Sequence, residues 1–510
     1  MDSDKSNTTS MPDNTLKKSF GSNIVKLLSS KVAAQVIVLI TAPIITRLFS
    51  PGSFGILQIF MSITSILTVM ICLRYEFSIP LGKNEKEVSA SFALSIATSL
   101  LLTLIVFAVV IVGKQKIIQW FGVPDLEIFL WLIPIFTLIG GFRISLVYWV
   151  AREGKFGSMA WSDFATAFSS RLFMITWAVT IGASATGLLV GYFSGAVVGI
   201  LLLLILFGRK LVSQARNVNL SFKMLWTVAK RHKKFPIFET WSGLINTISI
   251  QLPPIILGLY FSTTIVGYYS LGYRLISFPM VLLGQSITQV FFPTAAEEYN
   301  RTGTLSNIVR TVFKRLVQIG IFPLVAIGFT GAPLFGFIFG QEWIEAGIYM
   351  QILCIYVIVQ FIFSPLSSTF GILQRQGTGL LFNIGLTFSR FIALFLGAKI
   401  GEARITLVLY SIVSMVNYSI WLYWILHNSG VSLRWGIKIL LRYIGLSCLL
   451  LVPAGVLVWV EGKIIFICIS IAFATIAYIG ILYKVDLSFR NVITNKLLYR
   501  LQRLNISFNF

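Results

Sequence analysis

Residues 88–112 read VSASFALSIATSLLLTLIVFAVVIV, with no charge, proline or glycine among them. A helix of that length rises about 37 Å at ~1.5 Å per residue, enough to cross a hydrocarbon core ~30 Å thick. A soluble helix needs only one apolar stripe, whereas this run is apolar around its circumference save for scattered Ser and Thr, so lipid is its solvent. Lys83 and Lys86 precede it, and Lys114 and Lys116 follow it. Working outward in both directions, about fourteen stretches of roughly 20 residues share this character, separated by short loops. With the N-terminus inside, the inner segments collect Lys5, Lys17, Lys18 and Lys26, then Arg74, Lys83 and Lys86, then Arg152 and Lys155, then the run from Arg209 to Lys234. Arg301, Arg310, Lys314 and Arg315 follow, then Arg375, then Arg434, Lys438 and Arg442, then five more in the tail. In this register 30 of the 41 Lys and Arg lie inside, 6 outside and 5 within spans. The pattern predicts an all-α polytopic membrane protein with both termini in the cytoplasm.

Composition points the same way. With 56% hydrophobic residues, 12% charged residues and a mean hydropathy of +0.86, a soluble fold of 510 residues has nowhere to hide its apolar surface. The net charge of +23 raises nucleic acid as a partner. Most of the excess flanks span ends, however, where it faces anionic headgroups, so membrane lipids and no nucleic acid are expected. Cys72, Cys354, Cys448 and Cys468 fall in apolar runs without CxxC spacing, and His232 and His427 stand alone in basic loops. Neither set suggests a metal site, a disulfide framework or a cofactor. No Walker A, GxSxG, HExxH or dinucleotide-binding glycine pattern occurs in a supporting context. The longest outward loop, around Lys114 to Asp125, leaves little room for external catalysis. A transporter is therefore the stronger class and an enzyme the weaker.

The organisation expected is a polar cytoplasmic tail over residues 1–23, an N-lobe of six spans over 24–208, and a basic cytoplasmic linker over 209–236. A C-lobe of six spans over 237–428 follows, then two further spans over 429–483 and an amphipathic cytoplasmic tail over 484–510. The fifth span is placed at 164–182 and the eighth at 265–292. The linker holds eight Lys or Arg and no acid, a determinant of orientation with anionic-lipid binding as the alternative. Phe49, Ser50 and Gly55 recur as Phe261, Ser262 and Gly267 at a constant offset, suggesting two parallel lobes around a central cavity.

Charges inside the spans carry the chemistry. Lys31, Arg143, Arg171, Arg274 and Arg390 lie in apolar helices, where each uncompensated cation costs roughly 2.5 to 3.5 kcal/mol. Lys31, Arg143 and Arg171 stand about two turns from a span end, so snorkelling competes with a cavity-facing role. Arg274 and Arg390 are nearer mid-span, which favours a cavity. Glu76, Asp163 and Glu239 are the embedded acids, open to pairing with Arg74, Arg171 or nearby lysines, or to ion coupling. A cavity lined mainly by cations suits an anionic, phosphate-bearing substrate. Aromatic candidates for sugar contact are Tyr148, Trp149, Trp161, Trp177, Tyr268 and Tyr273, with packing as the plainer role.

Arg47-Leu48-Phe49-Ser50-Pro51 with Phe54-Gly55, and Arg74-Tyr75-Glu76 after the second span, resemble the N-terminal signature of Wzx-type polysaccharide flippases. These belong to the multidrug/oligosaccharidyl-lipid/polysaccharide exporter superfamily. Lys234-Phe235-Pro236, the run Gly267 to Arg274, Gln289 to Pro293, and Phe339-Gly340 with Trp343 and Ala346 extend the likeness, although Gly272 stands where the family pattern has alanine. The resemblance implies a flippase that moves undecaprenyl-diphosphate-linked repeat units of O-antigen or another surface glycan to the periplasmic leaflet of the inner membrane by alternating access. It implies a polysaccharide polymerase and a chain-length regulator as pathway partners. On it, Arg274, Arg390, Arg143, Arg171 and Lys31 become diphosphate contacts. A lipid II flippase, a multidrug exporter of the same superfamily and, last, a glycan polymerase remain the alternatives.

Overall fold

A computed structural model of the chain describes residues 33–121, 126–216, 221–280, 284–486 and 490. Every regular element among them is helical, and eleven helices are long and apolar enough to cross a membrane. The expectation of an all-α multi-pass membrane protein is met. Contacts divide the chain into two compact units, Met1–Val266 and Gly267–Phe510.

The first unit begins with α1 (Ala33–Leu48) and turns at the Arg47 to Pro51 motif into α2 (Pro51–Ile71). The motif is a helix start: Ser50 is the N-cap, its Oγ accepting from the Ser53 amide at 3.3 Å, and Pro51 holds the first helical position, where its missing N–H costs nothing. Gly55 is needed because a Cβ there would lie 1.7 Å from the Thr263 carbonyl oxygen. A short 3-10 segment (Tyr75–Leu81) leads to α3 (Glu85–Phe121), α4 (Leu126–Arg152), α5 (Phe156–Thr180) and α6 (Ala185–Arg216). The expected basic linker is largely helical: α6 runs into it, α7 (Phe222–Arg231) occupies its middle, and a π-helical segment (Phe235–Glu239) enters α8 (Thr240–Tyr260). The sequence reading opened the C-lobe at residue 237. Contacts place α8 in the first unit, packed on α2, where the Ser62 hydroxyl donates to Gln251 Oε1 at 2.9 Å.

In the same unit α5 and α6 pack closely along their length. Gly187, Gly191, Gly195 and Gly199 fall every fourth residue on α6, and a Cβ at any of them would come within 2.1 to 2.6 Å of an α5 atom. Where lipid is as apolar as the side chains, such close van der Waals approach is what drives helices together. The Ser162 hydroxyl of α5 donates to the Gly199 carbonyl at 2.8 Å across the same contact.

The division falls within α9 (Thr263–Pro279), which is followed by α10 (Gln285–Thr302). The eighth span expected at 265–292 is described on either side of residues 281–283, as α9 and α10. Gly272 on α9 meets α12 (Ile344–Leu366), where a Cβ would lie 2.7 Å from the Ala346 carbonyl, so the departure from alanine permits closer packing. α11 (Ser306–Phe339) is the spine of the second unit, packed against α12, α16 (Leu433–Trp459) and α17 (Ile464–Val485). Between them lie the short α13 (Thr369–Ile372), α14 (Gln376–Ile400) and α15 (Ala403–Asn428). The last two helices are riveted to α11 by Asp486, only 4% exposed, which receives Lys314 Nζ at 2.6 Å, Arg315 Nη2 at 3.4 Å and Gln318 Nε2 at 2.9 Å. Gln318 Nε2 also donates to Tyr443 Oη, and the Tyr478 hydroxyl donates to the Gln318 carbonyl, both at 2.8 Å. Lys314 and Arg315, counted as orientation charges in the sequence, therefore also hold the C-terminal pair in place.

The count of fourteen spans is not reached by length and apolarity. The first span is described only from Ala33, the eighth only in part, and α5 is long enough but carries Asp163, Arg171 and several hydroxyls. Lys31 lies outside the described residues, as does nearly all of the expected amphipathic tail.

Candidate functional site

The first unit contains a cavity of about 640 Å³ walled by α2, α4, α5 and α6, with Arg74 and Thr247 completing it. Two of these helices contribute a polar stripe at helical spacing: Thr64 and Thr68 from α2, Asp163, Thr166 and Ser170 from α5. The cavity brings together Arg143 of α4 with Asp163 and Arg171 of α5, three residues picked out in the sequence, and adds Arg74, which the sequence offers as an orientation charge, a motif residue and a partner for the embedded acids.

Asp163 pairs with Arg143, Nη2 to Oδ1 at 2.7 Å, rather than with Arg171. The Arg143 side chain is 25% exposed, and its buried Nε has no protein partner. Arg171 Nη1 donates to Met174 Sδ at 3.3 Å. Arg74 reaches the cavity from a turn in which Leu73 (φ 49°) and Arg74 (φ 60°) both occupy the left-handed region, a conformation that costs non-glycine residues about 1–2 kcal/mol each. Its guanidinium sits 5.1 Å from the Phe77 ring centre, with Nη1 3.6 Å from Glu76 Oε1, and Gly243 of α8 makes room for it. The Arg74 Nε is buried without a protein partner as well. Glu76 lies between the spans, where burial pushes its carboxyl above the usual range while its own backbone amide and Arg74 pull the other way. Three cations and one carboxylate thus face one pocket, where the buried Nε atoms of Arg74 and Arg143 have no protein hydrogen-bond partner.

Tyr148 lines this cavity too, whereas Trp149 is packed in the core against Phe207 and Trp177 covers Gly187. Glu239 is exposed at the head of α8. The second unit holds the other two cations. Arg274 is half-buried on α9, beside Tyr273, which stacks on Tyr269. Arg390 is 3% exposed: Nε donates to Ser414 Oγ at 2.9 Å, Nη2 lies 3.5 Å from Tyr418 Oη, and the rings of Tyr356, Tyr410 and Tyr418 surround the guanidinium with centres 5.0 to 5.5 Å away. Among the described residues, no group of three or more His, Cys, Asp or Glu could hold a metal ion.

A family model described as "Polysaccharide biosynthesis protein" matches residues 44–348. The chain belongs to that family. Its relatives include the teichuronic acid biosynthesis protein TuaB of Bacillus subtilis (strain 168), 22% identical over 36% of this chain and 38% of that protein. The lipopolysaccharide biosynthesis protein WzxC of Escherichia coli (strain K12) is 25% identical over 41% of this chain and 42% of its own length. The succinoglycan biosynthesis transport protein ExoT of Rhizobium meliloti (strain 1021) is 24% identical over 74% and 75%. The chain thus spans less than half the length of the first two relatives and three quarters of the third. The resemblance read from the Arg47 to Gly55 and Arg74 to Glu76 motifs therefore holds. Among solved structures, the lipid II flippase MurJ in an inward closed conformation superposes with a TM-score of 0.66 at 12% identity, covering 89% of this chain and 99% of that one. An inward-facing multidrug resistance MATE family transporter of the MOP superfamily gives 0.64 at 14% identity, covering 78% and 94%. Both structures share their fold with the present chain.

Proposed function

We propose that this protein is a flippase that carries undecaprenyl-diphosphate-linked glycan repeat units from the cytoplasmic to the outer leaflet of the inner membrane by alternating access, with both termini in the cytoplasm. The observation that carries the reading is the cavity shared by Arg74, Arg143 and Arg171. Guanidinium groups match phosphate oxygens in paired hydrogen bonds, and the buried Nε donors of Arg74 and Arg143 stand ready for an anion. A volume of about 640 Å³ accommodates a diphosphate and the first sugar, with Tyr148 as an apolar face for the ring, while the polyprenyl chain stays in lipid. A cavity with three cations is a poor host for cationic drugs, which argues against a multidrug exporter. Lipid II would suit the same charges, and the family match is what favours a surface polysaccharide over it.

Arg274 is retained as a diphosphate contact of the second unit, and Arg390 as one that engages only when its shell of Ser414 and three tyrosine rings rearranges. Outward movement of an anion across an inside-negative membrane is favourable by ~2.3 kcal/mol per charge per 100 mV, so part of the driving force is electrical. Coupling to an ion through Asp163, Glu76 or Glu239 predicts a flux that responds to an imposed ion gradient at fixed potential. Polymerase and chain-length regulator would act on the delivered product.

The deciding experiment reconstitutes the purified protein in liposomes with a fluorescent undecaprenyl-diphosphate oligosaccharide and a membrane-impermeant quencher. Protein-dependent movement between leaflets, lost in Arg143→Gln, is expected. Movement unchanged in an Arg143→Gln/Arg171→Gln double variant removes the cavity from the pathway, and no movement with folded protein and the cognate glycan overturns the flippase reading.

A further inference from the structure

The basic linker holds an exposed surface outside the cavity. At 100° per residue around α7, Phe222, Trp226, Lys223 and Lys230 share one face, and all four are exposed, Phe222 by 81% and Trp226 by 65%. The opposite face carries Val228, which is buried, and Arg231, whose Nη1 lies 2.6 Å from Glu87 Oε1 on α3. Lys233 and Lys234 follow, also exposed, and no acid occurs anywhere in the linker. Membrane-length helices ending at Gln214 and beginning at Phe235 tether α7 at both ends, so it lies at the bilayer surface. Two large aromatics among lysines on one exposed face match an anionic interface, rings at headgroup level and ammonium groups among the phosphates.

The inner side of α7 leads to the cavity. His232 stacks on Phe235, ring centres 5.8 Å apart, and Phe235 meets Phe77 edge-on at 5.8 Å. Phe77 carries the Arg74 guanidinium on its face and touches Tyr148 at 5.3 Å, so both cavity residues rest on it. The left-handed Leu73–Arg74 turn persists only while its surroundings hold it.

We propose that α7 is a sensor of anionic phospholipid: its Phe222/Trp226/lysine face docks on the negatively charged bilayer surface, and through His232, Phe235 and Phe77 that docking holds Arg74 in its cavity-facing conformation. The docking half stands alone; the coupling half rests on the flippase reading.

The full-length protein is reconstituted in phosphatidylcholine vesicles with or without phosphatidylglycerol bearing brominated acyl chains, and tryptophan quenching is compared between the parent and Trp226→Phe. Greater quenching in the parent is expected with the anionic lipid, lost in a Lys223→Gln/Lys230→Gln/Lys233→Gln/Lys234→Gln variant with an unchanged melting profile. Equal quenching in parent and Trp226→Phe places α7 clear of the bilayer and overturns the proposal. A Trp226 signal that responds to an acidic polypeptide and not to lipid does the same. Glycan flux is then measured in both vesicle types. It is expected to rise at least about threefold with anionic lipid in the parent, and to lose that dependence in the quadruple variant and in Phe77→Leu, which still docks. Persistence of the dependence in the quadruple variant refutes the sensor. Docking without flux in any vesicle refutes the transport reading while leaving the lipid surface established.

Discussion

Arg143 on α4 and Arg390 on α14 are each a cation within the apolar stretch of a membrane-length helix, and the two units meet the same desolvation cost in different ways. Arg390 is enclosed by three tyrosine rings and a serine hydroxyl, so its charge is matched by ring quadrupoles and neutral acceptors, and almost none of it is accessible. Arg143 is matched by one carboxylate, keeps a spare donor and faces a pocket. A cation whose surroundings are complete has little left to offer a ligand without rearrangement, while one held by a displaceable acid can exchange that acid for a phosphate. Embedded arginines that look alike in sequence thus divide into one that is fully solvated by protein and one that is only partly so.

The largest test removes the complete shell. Arg390→Met leaves tyrosines without their cation and Ser414 without its donor, and is expected to lower stability by about 3 kcal/mol, read as a reduced thermal midpoint in detergent. Arg143→Gln should do the opposite in kind: the midpoint barely moves, while glycan flux falls about tenfold to a hundredfold, corresponding to the loss of one charge-assisted contact of ~1.5–3 kcal/mol. A large stability loss in Arg143→Gln with normal flux would erase the distinction between the two sites. Asp163→Asn sharpens it, since freeing Arg143 from its internal partner should tighten inorganic diphosphate binding severalfold, measurable by calorimetry, at a stability cost of under about 1 kcal/mol. The smallest effect is expected at Glu76. Its carboxyl is held above the ordinary value of 4.5 by burial, so the folded chain binds that proton more tightly than the unfolded one, and stability falls as pH rises from 4.5 through the folded value. Glu76→Gln should flatten the midpoint over that range, and an unchanged slope would show that the Arg74 pairing and backbone hydrogen bond cancel burial.

The spans were legible because a lipid-facing helix must be apolar all round, and the Ser50-Pro51 helix start and the Gly55 contact lie behind a motif visible in the sequence. Less could be read where polarity is local. α5 fails a hydropathy test because its Asp163, Thr166 and Ser170 stripe faces the cavity, and that stripe, spaced three and four residues apart, was the available sign that Arg143 and Arg171 share a pocket. Arg74 was overlooked as a site residue because it lies beyond the end of a span, where only the positive-φ turn reveals that it bends back into the cavity. Lys314 and Arg315 were read as topology signals, their partner Asp486 being 171 residues from Arg315 and beyond any local pattern. The helical character of the linker was hidden by its charge, which dominates any reading of residues 209–236.

The glycine stripe of α6 bears on how the cavity can change shape. Side chains that interdigitate can trade rotamers and let two helices slide, but Gly191, Gly195 and Gly199 press backbone against Met174, Ser170 and Thr166, leaving no intervening side chain on the α6 side to rearrange. α5 and α6 therefore behave as one beam. Asp163 and Arg171 ride on that beam while Arg143 belongs to a different helix, so the pocket can flex at the seam between α4 and the beam, and the Arg143–Asp163 ion pair is the clasp across it.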